Sequence, residues 1–266
     1  MAFHNHLTNT SNILIIGCGG AGLRAAIEVK LAGLDVLVLG KRPKIDAHTV
    51  LAAGGINASF GNIDSEDSWE QHFADTYIEG YGIGDAKQIE LMTKESPQLV
   101  NEIDKWGANF EKLKNGKLDQ RFFGAHKYRR TCYSGDYTGR SILKTLLKKA
   151  ESLGIQICDD QYVTELLISE QICFGAMSFN NKTFERTVHF ADAVIEAVGE
   201  GNNVAGIHHV VVFHINLDQC AVGVEPEVTL TAGPDQKQIL AGEKTLGKTL
   251  PFGFDFNAHG GGYKGR

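Results

Sequence analysis

Residues 13–39 constrain the fold more than any other stretch, because a buried strand, a glycine-rich turn, a helix and a second buried strand follow one another without interruption. Ile13-Leu14-Ile15-Ile16 is short, uncharged and rich in β-branched side chains, the pattern of a strand covered on both faces of a parallel sheet. Gly17-Cys18-Gly19-Gly20-Ala21-Gly22 then has the spacing G-x-G-x-x-G. Gly17 permits the tight turn, Gly19 lets backbone approach a pyrophosphate, and Gly22 lets the next helix sit close to the sheet. Gly20 and Ala21 lead into that helix, expected over residues 21–31, whose N-terminal N–H groups and positive dipole end point at the same phosphate position. Asp35 opens the second strand, Val36-Leu37-Val38-Leu39. Glycine turns are common in α/β proteins, but the strand before, the helix after and the second strand at the right distance make this one a dinucleotide-binding unit. An acid at the end of the second strand usually bonds the ribose hydroxyls, and Gly40 stands there instead. This disfavours an NAD-dependent dehydrogenase and leaves a flavin nucleotide with another ribose partner open.

The chain has 266 residues, 42% hydrophobic and 22% charged, which is the balance of a globular protein with a sizeable core. A formal net charge of -6 and scattered basic residues argue against nucleic acid as a partner. Short basic clusters, one with Lys41 and Arg42 and one over residues 126–130, read as solvated or cofactor-facing. The five cysteines are odd in number and form no C-x-x-C pair, so neither a disulfide framework nor a metal site is expected, and a reducing compartment fits. Residues 1–12 lack an apolar core or an Arg-rich amphipathic pattern, so no signal or transit peptide is expected, and no apolar run approaches membrane-spanning length.

Beyond residue 40 a charged loop leads into His48-Thr49-Val50-Leu51-Ala52-Ala53-Gly54-Gly55, whose paired glycines let backbone come close to something flat or bulky. Residues 65–107 read as two helices broken at residues 80–84. The Trp69, Phe73, Tyr77 stripe on the first is expected to pack in the core, and Ile89, Met92, Leu99, Ile103 and Trp106 continue an apolar face. Asn115-Gly116 marks a small hairpin over residues 110–118. An aromatic and basic loop covers residues 120–135, and an amphipathic helix is expected over residues 141–153. Strands follow at residues 155–158, 163–169, 173–179, 187–190 and 193–198, the middle three as an antiparallel meander. Residues 200–266 are irregular, and no confident second domain is read there.

Four motifs carry a resemblance: G-C-G-G-A-G at residues 17–22, A-H-T-V-L-A-A-G-G-I-N-A at 47–58, Q-R-F-F-G at 120–124 and D-Y-T-G-R-S-I-L at 136–143. With the A-V-G close formed by Ala197, Val198 and Gly199, residues 13–199 resemble the flavoprotein subunit of succinate dehydrogenase and fumarate reductase, a family that also includes L-aspartate oxidase. The fold so implied is α/β: a Rossmann-like FAD-binding domain with a parallel sheet, a helical insertion and an antiparallel β-meander, over residues 1–199. Residues 200–266 would then be a divergent or truncated remnant of the substrate and capping region. The resemblance implies FAD, held by Gly17, Gly19, Gly20, Ala21, Gly22, Gly40, Lys41, Arg42, His48, Thr49, Ala53, Gly54, Gly55, Val163, Ala197 and Gly199.

In that family the histidine of the H-T-V run bonds covalently to the flavin 8α carbon, a role that would fall to His48; L-aspartate oxidases lack it. The family's reaction is hydride transfer between flavin N5 and a C4 dicarboxylate. Its electrons leave through a separate iron–sulfur subunit to a quinone-reactive membrane anchor, so a cytoplasmic protein peripheral at the inner face of a membrane is implied. The departures from the family lie late in the chain. Val198-Gly199-Glu200-Gly201 is open between the family's A-T-G-G and R-G-E-G-G, and on the second alignment Val198 replaces the proton-donating arginine. Phe213-His214 resembles a substrate-binding F-H without the Pro-Thr-Gly after it, and Asp255 stands where a substrate histidine belongs. His214 is the only substrate-binding candidate, and no catalytic residue is assigned. The expectation is therefore divided between a dicarboxylate oxidoreductase subunit, an L-aspartate oxidase-like flavoenzyme and a non-catalytic FAD-binding remnant.

Overall fold

The computed structural model describes residues 7–124 and 126–198. In chain order the elements are β1 (Leu7–Ile16), α1 (Gly20–Leu31), β2 (Val36–Leu39), β3 (Ile56–Asn57), α2 (Trp69–Glu79), α3 (Ala86–Lys105), β4 (Thr131–Cys132), α4 (Thr138–Ser152), β5 (Gln156–Cys158), β6 (Gln161–Ser169), β7 (Ile172–Asn180) and β8 (Arg186–Glu196), with a 3₁₀ turn at His48–Leu51. The chain divides into two units. Among the described residues, one holds residues 7–44 and 153–198, the other the remainder.

The first unit is one six-stranded sheet in the order β5-β2-β1-β8-β7-β6. β1 is parallel to both β2 and β8, and β2 to β5, while β6, β7 and β8 run antiparallel. The expected α/β class and meander are thus found in one continuous sheet. Leu14, Ile16, Leu37, Leu39, Val163, Leu166 and Val194 form its core, consistent with strands that lack polar alternation.

Two boundaries differ from expectation. β1 begins at Leu7 rather than Ile13, and the two strands expected at residues 187–190 and 193–198 are the single strand β8. The cause is mutual. The polar segment of β1 pairs with the first half of β8, Thr10 opposite Phe190 and Ser11 opposite Ala191. Asp192, which interrupts the apolar pattern, accepts from the Asn12 amide at 3.0 Å. A strand whose polar residues are matched across the ladder needs no apolar period of its own.

His189 sits in this sheet almost wholly buried. Ser178 donates to Gln161 Oε1 at 2.8 Å, so its oxygen accepts from His189 Nε2–H, also at 2.8 Å, and His189 Nδ1 takes the Asn9 amide at 3.4 Å. Burial pushes the imidazole pKa down from 6.5 to about 4. The folded state therefore holds His189 neutral where the unfolded chain would protonate it, and stability contributed above pH 6.5 is lost as pH falls towards 4. The slope from one such group is about 1.4 kcal/mol per pH unit. Urea unfolding midpoints measured across this window should fall less steeply for His189→Gln than for the parent; equal slopes would remove His189 from the acid response.

The second unit is built on α3 and α4 around Ala58, Val100, Ile103, Ala108, Phe110, Leu118 and Cys132. α4 begins at Thr138, three residues before the expected start. Asn115-Gly116 makes the expected turn, with Leu113 N–H bonded to the Lys117 carbonyl at 2.8 Å and Gly116 at φ +83°. The aromatic stripe on α2 is not core. Tyr77 is 37% exposed and stacks on Phe73, ring centroids 5.8 Å apart, and the buried residue of α2 is His72. Met92 on α3 is exposed as well.

Charge explains that inversion. Arg130 is fully buried, with Nη2 donating to Asp67 Oδ1 at 2.7 Å and to Asp75 Oδ2 at 2.8 Å. His72 and His126 lie edge-on beside this group, centroids 6.3 Å apart. Burial and, next, the Arg130 charge push His72 down to about 4. A carboxylate on α2 that must reach a buried guanidinium turns Asp75 and His72 inward and the aromatic stripe outward. The 126–130 cluster is accordingly not a solvated patch: Arg130 is internal, and Arg129 is engaged with Asp64 at 3.1 Å.

Candidate functional site

In the first unit the glycine turn joins β1 to α1 in the space between strand ends. Gly17 N–H donates to the Leu39 carbonyl at 2.8 Å and Ala197 N–H to the Ile16 carbonyl at 2.8 Å, so the turn is held by β2 on one side and by the end of β8 on the other. Gly17 has φ +113°, and a Cβ there would run into the Ala197 carbonyl; a Cβ on Gly22 would run into the Gly17 carbonyl oxygen. Both glycines therefore do what their spacing implies, one in the turn and one at the helix–strand contact. Gly19 is the N-cap of α1 and has no side chain to occupy the helix N-terminus; the first turn carries no acidic residue, and Ala21 is exposed. These are the requirements of a diphosphate at a helix N-terminus.

Gly40 is buried, and a Cβ there would lie 2.6 Å from Cys18 Sγ. Its N–H donates to the Cys158 carbonyl and its carbonyl accepts from Gln161, both at 2.8 Å. The acid missing from this place has no room beside Cys18, a thiol whose own pKa burial raises. Lys41 and Arg42 are exposed, and Lys41 Nζ stands 5.0 Å from the Tyr162 ring centroid. The Val163 side chain lies in the sheet core. Val198 packs against that core and beside Gly17, at the end of β8. Gly199, His214, Asp255 and the region 200–266 lie outside the described residues.

In the second unit the H-T-V-L run is the 3₁₀ turn His48–Leu51, with His48 exposed and Ala53 exposed beyond it. α4 seats this turn. Gly139 N–H donates to the Ala52 carbonyl at 2.7 Å, and a Cβ on Gly139 would meet the Thr49 carbonyl and lie 2.9 Å from Ala52 Cβ. The T-G of the D-Y-T-G-R motif is thus the floor under Thr49, a relation no local pattern reveals. Gly54 and Gly55 follow. Phe123 lies over Gly54, where a Cβ would come within 2.5 Å of its ring, and a Cβ on Gly55, at φ +135°, would meet Thr131 and Cys132. Arg121 Nη2 donates to the Gly54 carbonyl at 2.8 Å. Arg121, Phe123 and Gly139 stand in the sequence motifs without a legible role of their own, because each acts on a residue more than sixty positions away.

Residues 12–222 match the family model for the FAD binding domain. The chain is 36% identical over 194 residues to a flavoprotein-type component of the fumarate reductase (CoM/CoB) of Methanothermobacter marburgensis, covering 73% of this chain and 36% of that protein. It is 32% identical over 185 residues to the succinate dehydrogenase flavoprotein subunit of Rickettsia bellii, covering 66% and 31%. Among solved structures, the apo Sdh1 complex of Mycobacterium smegmatis aligns with a TM-score of 0.70 at 36% identity, over 73% of this chain and 35% of that one. An E. coli quinol fumarate reductase aligns with 0.69 at 29%, over 73% and 33%. The chain thus spans about a third of the length of the relatives it matches. Its glycine turn, uncapped acid-free helix start and close-approach glycines fit a flavin dinucleotide, and its cofactor is FAD. The chain belongs to the FAD binding domain family, among the succinate dehydrogenase and fumarate reductase flavoproteins.

Proposed function

We propose that this chain forms the flavin-holding part of a dicarboxylate oxidoreductase subunit, the reaction being hydride exchange between flavin N5 and a C4 dicarboxylate. The observation that carries the reading is the exposed His48 on a turn seated by Gly139 and followed at once by Gly54 and Gly55. FAD supplies a two-electron hydride acceptor and donor. Gly19 and the start of α1 bind its diphosphate; Gly54 and Gly55 bring backbone N–H groups to the N5 edge, where negative charge develops on reduction. His48 is the point of covalent attachment, an imidazole being a nucleophile that is neutral near pH 7. The proposed electron partner is an iron–sulfur subunit, with a membrane anchor behind it, which would place the protein at the inner face of a membrane. Among the described residues no helix is long and apolar enough to cross a membrane itself. The position of Val198 beside Gly17 supports aligning it with the A-T-G-G close rather than with the R-G-E-G-G arginine.

Acid precipitation of flavin-loaded protein should leave a yellow, ultraviolet-fluorescent pellet, and His48→Ser should release the colour to the supernatant. A colourless parent pellet would remove the covalent role while leaving FAD binding untouched. Dye-coupled succinate oxidation and viologen-linked fumarate reduction test the substrate. His214 lacks the residues that follow it in the family, and a carboxylate at Asp255 would repel a dianion, so turnover by this chain alone is expected well below the order of 1 s⁻¹ typical of enzymes. Faster turnover in either direction would show that these positions are replaced elsewhere in the chain.

A further inference from the structure

Arg121 is fixed from several directions. Its backbone pairs with Thr131 of β4, N–H to carbonyl at 3.0 Å and carbonyl to N–H at 3.2 Å. Its guanidinium lies 4.2 Å from the Tyr133 ring centroid, and the Tyr133 hydroxyl donates to Asp119 Oδ2 at 2.7 Å. Nη2 donates to the carbonyls of Gly54 at 2.8 Å and Gly135 at 3.3 Å. The Gly54 carbonyl belongs to the same peptide plane as the Gly55 N–H. In a trans peptide these two point in opposite directions, so a guanidinium holding the oxygen turns the N–H away from itself. A cation on the oxygen also draws electron density through the amide and strengthens the N–H as a donor. Among the described residues none accepts from that N–H, because β3 starts its ladder with β4 one residue later, at Ile56.

We propose that Arg121 is a positioning residue that sets the direction and donor strength of the Gly55 N–H toward the N5 edge of the flavin, and so favours the reduced, more negative cofactor. The inference rests on the reading that Gly54 and Gly55 face that edge. Arg121 touches neither flavin nor substrate in this role; it acts through one peptide group. A lysine at this place keeps the charge but not the planar fork that spans two carbonyls while stacking on Tyr133.

The test uses the full chain loaded with FAD enriched in ¹⁵N at N5, comparing the parent with Arg121→Met, Arg121→Lys and, for the same change of charge elsewhere, Arg186→Met. Two quantities are read: the two-electron midpoint potential against reference dyes, and the N5 resonance. Arg121→Met should lower the preference for reduced over oxidised flavin about tenfold, which is a fall of about 30 mV for a two-electron couple. Its N5 resonance should move toward that of free FAD. Arg121→Lys should recover part of both, and Arg186→Met should change neither. A parent N5 resonance displaced from free FAD, with potential and resonance unchanged in both Arg121 variants, would overturn the role of Arg121 alone. A parent resonance equal to that of free FAD would overturn the reading of Gly54 and Gly55, and this proposal with it. If Arg121→Met fails to fold, Arg121→Lys decides: values at the parent's in both readouts count against the proposal, and a partial fall in both supports it.

Discussion

Gly22→Ala should lose flavin affinity by on the order of 10²-fold. The added methyl group has no flexible side chain to displace: it runs into the Gly17 carbonyl oxygen, lies 3.0 Å from the Gly17 carbonyl carbon and 3.4 Å from Ala197 Cβ. To admit it, α1 must move off the sheet or Gly17 must leave its turn, and Gly17 is itself held by the Leu39 carbonyl and crowded by that of Ala197. Either movement withdraws the helix N-terminus from the diphosphate. Overpacking of a close contact costs about 1–3 kcal/mol, and at about 1.4 kcal/mol per decade the upper end corresponds to roughly 10²-fold. Gly33→Asn is the control. Gly33 also has a positive φ, but nothing lies within 4 Å of its Cβ position, and asparagine tolerates that backbone region. Equilibrium dialysis against FAD should separate the two variants; retention of parent affinity by Gly22→Ala would mean that the helix–strand contact does not set the phosphate site.

The second large effect is expected at Arg130. Replacing it with methionine keeps the volume of a long side chain but leaves Asp67 and Asp75 facing each other without a cation. Breaking a buried ion pair by removing one partner costs about 3–5 kcal/mol. Burial already raises the Asp67 pKa, against the lowering effect of Arg130, so without the guanidinium Asp67 will take up a proton more readily. The loss in Arg130→Met should therefore be larger at neutral pH, where both carboxylates are charged, and smaller as the pH falls and one of them is neutralised. Urea unfolding followed at pH 7 and again at mildly acid pH would show this. A loss independent of pH would assign the cost to packing rather than charge. Asp67→Asn should cost less than Arg130→Met at neutral pH, since it leaves Arg130 paired with Asp75 at 2.8 Å.

The parallel unit of β1, α1 and β2 was legible in the sequence because its causes are local. An apolar run, a glycine spacing and a helix period lie within about thirty consecutive residues, and each glycine's job follows from its place in the turn. The meander and α4 were legible for the same reason, to within a few residues. The H-T-V run and the paired glycines were recognisable as a cofactor-facing stretch, but nothing near them names their supports.

What tertiary structure decided is set by pairs far apart in the chain. Cys18 fills the place where a side chain at residue 40 would stand, so a missing ribose acid is a packing consequence rather than a choice made at that residue. Asn12 answers Asp192 across the ladder and turns two expected strands into one. Arg130 draws Asp75 and His72 inward, and the aromatic stripe of α2, which by period alone belongs to a core, faces out. Arg121 and Gly139 reach Gly54 and Thr49 from the far end of the second unit. Helix and strand periods report which face is apolar; they carry no information about which buried charge or backbone carbonyl waits on the other side, and at those positions electrostatics and close backbone contact outweigh the pattern.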